Sequence, residues 1–213
     1  VEEIKEEDIY VLIDRFGYIK SVDATSYSRL SAETLNDYAH IVCMRNTDRL
    51  CIFSSAGNMY QIKAMNIPKG RSRDKGVLIQ SLCKIGHEDA LLYVDAETLF
   101  NSQLLFTTAY GFVKLVSGIE FDTNRLAIAS TKLDENDHLA GVTLLTVEDA
   151  IAQDRKVIMI TKNGLSLGFP LTEVSELKKT SRGVKGIALE KEDLVEYSSV
   201  VTPDCEEVTF EQT

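Results

Sequence analysis

Apolar and polar positions along the chain fall into one pattern that recurs four times. The segments DIYVLIDRFGYIKSV, RLCIFSSAGNMYQIKAM, QLLFTTAYGFVKLV and KVIMITKNGLSLGF each begin with an apolar, β-rich run. A short polar stretch ending in glycine follows, and then a second, alternating run. This is the pattern of a β-hairpin, with glycine supplying the positive φ of a tight turn. The turn glycines Gly17, Gly57, Gly111 and Gly164 stand 40, 54 and 53 residues apart. A repeat of that length, built from several strands, has the size of a propeller blade.

A second feature recurs. Gly57 is followed 19 residues later by Gly76, and Gly164 is followed 19 residues later by Gly183. Each of these glycines precedes a valine (Val77, Val184) and a further apolar stretch. Ahead of each lies a basic loop. The first runs Lys69-Gly70-Arg71-Ser72-Arg73-Asp74-Lys75, and the second is Lys178-Lys179-Thr180-Ser181-Arg182, with Lys185 just beyond. Gly76 and Gly183 read as the points where loop turns back into strand, and Pro68 fixes the backbone just before the first basic run.

Helix signals are few. Ser31 to Tyr38 and Thr146 to Gln153 read as short helices capped by Ser31 and Thr146. No Gly/Ser-rich or Pro-rich linker divides the chain. The expectation is therefore one all-β domain over residues 1–213, made of four units at roughly 8–48, 49–102, 103–155 and 156–205. Val11 and Ile13, Ile52, Leu105, and Ile158 and Ile160 are expected to pack each unit against its neighbours. Glu206 to Thr213 read as a closing strand or a frayed end.

The 213 residues, 44% of them hydrophobic, suffice for a sizeable core. No apolar run is long enough to span a membrane, and the start lacks the pattern of a signal peptide, so a soluble intracellular protein is expected. Cys43, Cys51, Cys83 and Cys205 form no Cys-x-x-Cys pair and sit mostly in apolar runs, so buried reduced thiols are expected. His40, His87 and His138 share no ligand spacing, and no metal site is expected. No Ser-His-Asp set, phosphate loop or paired-carboxylate motif is present; Asp95, Asp137 and Asp193 read as turn or unit-boundary residues. No catalytic residue and no cofactor is expected within this chain.

The formal net charge of −10 argues, taken alone, against a nucleic-acid partner. Its distribution matters more. The acidic residues gather at the start, at Asp134 to Asp137, at Glu190 to Asp193 and at Asp204 to Glu207, away from the two basic loops.

Three segments carry a family resemblance. YQIKAMNIPKGRSRDKGVLIQSL has an aromatic residue after the turn, a basic residue, Ile-Pro and then a basic loop closed by glycine. SRGVKGIALEKEDLV has the Arg-Gly-Val, Gly-Ile and Leu of a blade ending, and VLIDRFGYIKSV looks like an opening hairpin. In order and spacing, from about Asp8 to Val201, these segments resemble the C-terminal domain of bacterial type IIA topoisomerase A subunits, of gyrase or topoisomerase IV type. The resemblance implies a β-pinwheel, a propeller-like disc whose neighbouring blades exchange strands, here with about four blades of four antiparallel strands. It also implies a non-catalytic domain that binds and bends duplex DNA on a basic rim. The tyrosine nucleophile, ATP and Mg would belong to other domains, among them a breakage–reunion domain in the same polypeptide and an ATPase subunit.

The DNA contacts implied are Lys69, Arg71, Arg73 and Lys75 on one loop, and Lys178, Lys179, Arg182 and Lys185 on the other. Lys20, Lys63, Lys114 and Lys162, which lie beside the turn glycines, join them. On composition alone these are ordinary solvated loop charges, and the alternative is a protein-interaction propeller that leaves DNA alone. In unit numbering the two basic loops belong to the second and fourth units, while the loop of the third holds only Arg125 and Lys132 and that of the first only Arg29. Tyr27 to Glu33, where gyrases carry a basic glycine-rich box, holds the single cation Arg29. That points to a topoisomerase IV-like or divergent gyrase parent.

Overall fold

A computed structural model describes residues 4–203; Cys205 and the expected closing strand at 206–213 lie outside them. The four hairpins form as the pattern predicts. Asp8–Asp14 pairs with Tyr18–Asp23, Arg49–Ser54 with Asn58–Lys63, Gln103–Thr108 with Phe112–Ser117, and Lys156–Thr161 with Ser166–Pro170, all antiparallel. Gly17, Gly57, Gly111 and Gly164 all have positive φ, between 77° and 86°, the region that glycine adopts without a Cβ penalty. A third strand completes each group: Tyr38–Arg45, Ala90–Asp95, Leu139–Leu145 and Val195–Val201, each against the first strand of its own hairpin.

The fourth strand comes from the next unit. Val77–Leu78 pairs with Tyr18–Asp23, Ala127–Ala129 with Asn58–Lys63, and Val184–Lys185 with Phe112–Ser117. Three sheets thus have four strands and share strands forward along the chain, whereas the fourth sheet has three among the described residues. Two glycines make the exchange possible. Gly76 (φ 83°) lies against the carbonyl of Ile19, and Gly183 (φ 103°) lies against that of Val113; a Cβ at either position would collide with those backbone atoms.

Helix is confined to one-turn pieces between strands. Ala32–Leu35 and Val147–Ile151 are capped by Ser31 and Thr146 as expected, the latter with a reciprocal bond from Asp149. Ala24–Ser28 and Ala96–Phe100, capped by Asp23 and Asp95, were not legible in the pattern.

The core is three clusters for four sheets. Val11, Ile13 and Met44 of the first sheet meet Leu50, Ile52 and Ile62 of the second. Phe53 and Met59 of the second meet Leu104, Phe106 and Phe121. Leu105 and Val113 of the third meet Val157 and Met159 of the fourth. Strands in the middle of this series are apolar on both faces because each face meets a neighbouring sheet. Val11, Ile13, Ile52 and Leu105 are fully buried. Ile158 and Ile160 are only half-buried, a correction to the expected packing: they lie on the face of the fourth sheet turned away from the third. Cys51 is buried and Cys83 half-buried, but Cys43 is exposed, because it lies on the outer strand of the first sheet, where every second side chain faces solvent.

Candidate nucleic-acid interface

Strand exchange relocates both basic loops. The loop of the second unit runs along the first sheet: Ser21 N–H donates to Pro68 O, and Gly70 N–H donates to Ser21 O, each at 2.9 Å. The loop of the fourth unit does the same on the third sheet. There Leu115 N–H donates to Ser175 O at 3.0 Å, and Leu177 N–H to Leu115 O at 2.8 Å. The cations therefore belong to the first and third sheets, not to the second and fourth as the unit boundaries suggested. The reason is that the strand closing each loop is completed by the preceding hairpin.

On the first loop Lys69, Arg71, Arg73 and Lys75 are all exposed. Among the described residues, the side chains of Lys69, Arg71 and Arg73 have no ion-pair partner. Lys75 Nζ sits 4.1 Å from the Tyr18 ring centroid, a cation–π contact that leaves its charge available. The Asp74 carboxylate is turned back onto the loop, accepting from Arg71 N–H at 2.7 Å.

The second loop repeats this plan. Lys178, Arg182 and Lys185 are exposed and Lys179 is partly covered. Arg182 lies 4.1 Å from the Phe112 centroid and Lys185 lies 5.0 Å from it. Two of these cations are engaged: Arg182 pairs with Asp134 at 2.7 Å, and Lys185 Nζ donates to Tyr110 O at 3.1 Å. Tyr18 and Phe112 occupy the same place, immediately after the turn glycines. The recurrence of an aromatic residue there was the available signal for these partners of the cations; Asp134 gave none.

Lys20 and Lys114 are not rim cations. Each is almost wholly buried, at 2% and 1% exposure. Lys20 Nζ donates to the carbonyls of Arg71 (2.9 Å), Ser72 (3.1 Å) and Asp74 (2.6 Å). Lys114 Nζ donates to those of Lys178 (3.1 Å), Lys179 (3.2 Å) and Ser181 (2.6 Å). Phosphate cannot reach either ammonium. Burial pushes the Lys114 pKa down to about 8, partly countered by Glu120.

Lys63 and Lys162 are exposed but stand apart from the loop centres. Lys63, Arg49 and Lys69 line one groove between the first two sheets. Lys162 sits at the hairpin tip of the fourth sheet. The structure thus gathers eight of the twelve residues on two loops, leaves two at the periphery and turns two inward.

The second sheet has a different loop. Its Asp122–Leu126 stretch is held by Gln61 Nε2, which donates to Thr123 O (2.9 Å) and Arg125 O (2.7 Å), and by Arg49, which donates to Thr123 O at 2.7 Å. Its one cation is Arg125. Among the described residues no group of His, Cys, Asp and Glu converges as a metal site.

Two stretches of the chain, 48–94 and 155–202, match the family model described as DNA gyrase C-terminal domain, beta-propeller. Each contains one of the basic loops. Over those two stretches the chain is similar to that family of domains. The A subunit of DNA gyrase from Helicobacter pylori is 28% identical over 94% of this chain, and the A subunit of DNA topoisomerase 4 from Streptococcus pyogenes is 28% identical over 93%. The chain spans 25% of the length of each of these relatives. A crystal structure of the C-terminal domain of DNA topoisomerase IV superposes with a TM-score of 0.80 at 24% identity, covering 94% of this chain and 63% of that one. The Escherichia coli ParC C-terminal domain gives 0.72 at 20% identity, with 92% and 80% covered. The exchanged strands and the relatives' names agree with the β-pinwheel and the family that the resemblance of the three segments implies.

Proposed function

We propose that this domain binds duplex DNA without reading its sequence, as the non-catalytic DNA-holding part of a type II topoisomerase A subunit. The observation that supports this is the pair of matching basic loops at equivalent places on alternate sheets, with Lys69, Arg71 and Arg73 unpaired among the described residues. Duplex DNA is a dense polyanion, so neutralising its phosphates releases counterions and drives binding whatever the sequence. No helix of the length that reads a major groove is present among the described residues. The contacts are Lys69, Arg71, Arg73, Lys75, Lys178, Lys179, Arg182 and Lys185, with Lys63 and Lys162 as outlying cations. Its partners are the breakage–reunion domain of the same polypeptide and an ATPase subunit; with them lie the catalytic tyrosine, ATP and Mg. The lone Arg29 in Tyr27 to Glu33 favours a topoisomerase IV-like parent.

The test is binding to a long duplex as a function of salt. Affinity should fall steeply with salt and be alike for unrelated sequences. Arg71→Ala, Arg73→Ala and Lys75→Ala together should weaken binding to all duplexes and flatten the slope of log affinity against log salt by about three, one for each phosphate no longer neutralised. Unchanged affinity at low salt would leave these side chains as bystanders and favour the reading as a protein-interaction scaffold.

A further inference from the structure

Four positions in the domain are equivalent by register, each the third residue after a turn glycine: Lys20, Tyr60, Lys114 and Leu167. They face Leu12, Ile52, Phe106 and Met159 across their hairpins. Lysine stands at this position on the first and third sheets, and those are the sheets over which the long basic loops lie. Tyrosine stands there on the second sheet, whose loop is short and nearly free of cations, and leucine on the fourth.

A buried lysine is costly unless its ammonium is hydrogen-bonded, and both lysines meet that condition in the same way. All three donors of each ammonium go to carbonyl oxygens of the overlying loop: Arg71, Ser72 and Asp74 in one case, Lys178, Lys179 and Ser181 in the other. Turned outward, these carbonyls would repel a phosphate. Turned inward, they leave the outer side of the loop to its cationic side chains. Gly76 and Gly183 then return the backbone hard against the same strands, so each loop is fixed at its middle by a lysine and at its end by a glycine.

We propose that Lys20 and Lys114 are positioning residues, each an internal cation that folds the next unit's basic loop onto its own sheet, so that phosphate contact depends on a side chain that phosphate never touches. The consequence for DNA rests on the reading of these loops as the DNA site; the ordering of the loops does not.

The experiment compares the domain with Lys114→Met and Lys20→Met. Tyr60 and Leu167 show that the position accepts a side chain without charge. Methionine keeps the buried stem, and the carbonyls it frees lie on a surface loop that can turn them to water, so hydrogen exchange of the strands should stay as it was. Loop amides at 178–183, or at 70–76, should lose protection by about tenfold or more, the scale on which charge-assisted hydrogen bonds act. Unchanged loop protection in both variants would overturn the proposal. Should either variant fail to fold, the unsubstituted protein still decides. Its ¹⁵N spectrum at neutral pH should show two slowly exchanging ammonium groups among its lysines, and none would overturn the assignment.

DNA binding separates this proposal from the reading on which it rests. Lys114→Met should weaken binding about tenfold with the salt slope retained, because no phosphate contact is removed, whereas Arg182→Ala should lower the slope by about one. A slope that falls in Lys114→Met as it does in Arg182→Ala would make Lys114 a direct contact and overturn the positioning role. Loss of loop protection without any salt-dependent binding by the unsubstituted domain would leave the lysine–loop coupling intact and overturn the DNA reading alone.

Discussion

Arg182 donates to the Asp134 carboxylate over 2.7 Å, so the basic loop on the third sheet is tied to the acidic turn that precedes Leu139–Leu145. The same guanidinium lies over Phe112, and the two contacts together hold it on the surface of the sheet. Both partners of the ion pair are substantially exposed, at 44% and 37%. Such a pair contributes about 0.2–1 kcal/mol, which a phosphate can displace.

Asp134→Asn should therefore tighten duplex binding by a factor of about two to five at low salt, since it removes both a competitor for Arg182 and a negative charge beside the loop. The gain should shrink as salt rises. A titration of the variant and the parent at two salt concentrations measures it, and equal affinities at both would show that Arg182 is not a phosphate contact.

The glycines give a contrast in stability. Gly164 has φ of 86° with nothing within 4 Å of where a Cβ would stand, whereas a Cβ on Gly183 would lie 2.7 Å from the Val113 carbonyl oxygen. Gly164→Ala should cost about 1–2 kcal/mol, the penalty of the left-handed region alone. Gly183→Ala should cost more, because the Val184–Lys185 strand must also move away from Phe112–Ser117. Denaturant midpoints of the two variants check the order, and a reversal would show that the exchanged strand is not held against Val113.

Stability should also carry a signature of Lys114. Its folded pKa of about 8 lies below the ordinary lysine value of about 10.4. Between those limits the unfolded chain binds more protons, so this group makes the fold more stable as pH rises from 8 towards 10. Below pH 8 the buried charge is carried in full. Tyr60 and Tyr93, both pushed up to about 12 mainly by burial, act in the opposite sense once pH exceeds about 10. The stability difference between the parent and Lys114→Met should be flat below pH 7. It should then move in favour of the parent, by about 1–2 kcal/mol, between pH 8 and 9.5. A difference that stays flat throughout would mean that Lys114 is solvated.

The hairpins were legible because their cause is local. Alternation, a polar turn and one glycine lie within fifteen residues of each other, and all four formed where the pattern placed them. The exchanged strands were not legible, since Val77–Leu78 and Val184–Lys185 are two residues long and acquire partners only from a hairpin some sixty or seventy residues earlier. That is why the basic loops were assigned to the wrong sheets. Lys20 and Lys114 misled for a related reason: a lysine in an alternating strand reads as a solvent-facing charge. What buries these two is a set of carbonyls 51 to 67 residues away. Ile158 and Ile160 read as core because their pattern matches Cys51 and Phe53; only the neighbouring sheet distinguishes the two cases.

The placement of the loops bears on how DNA would lie on the domain. Bending a short duplex site costs about 1–6 kcal/mol by smooth elastic estimates, and phosphate contacts along the bend must offset it. Here the exposed loop cations proposed as contacts are concentrated at two points, on the first and third sheets. Between them lies the Asp122–Leu126 loop of the second sheet, where Asp122 faces Arg49 and Arg125 is the one loop cation. Arg29 is alone in the segment that follows the first hairpin. On the proposed reading, a duplex touching both loops would be held at two places and left unsupported between them, and would bend locally without the sign of a wrap being fixed. Nicked circular DNA ligated in the presence of the domain should accordingly show little change in linking number after the protein is removed. A strong shift of one sign that grows with protein added would mean that a continuous path exists around the sheets, and would move the parent enzyme towards gyrase.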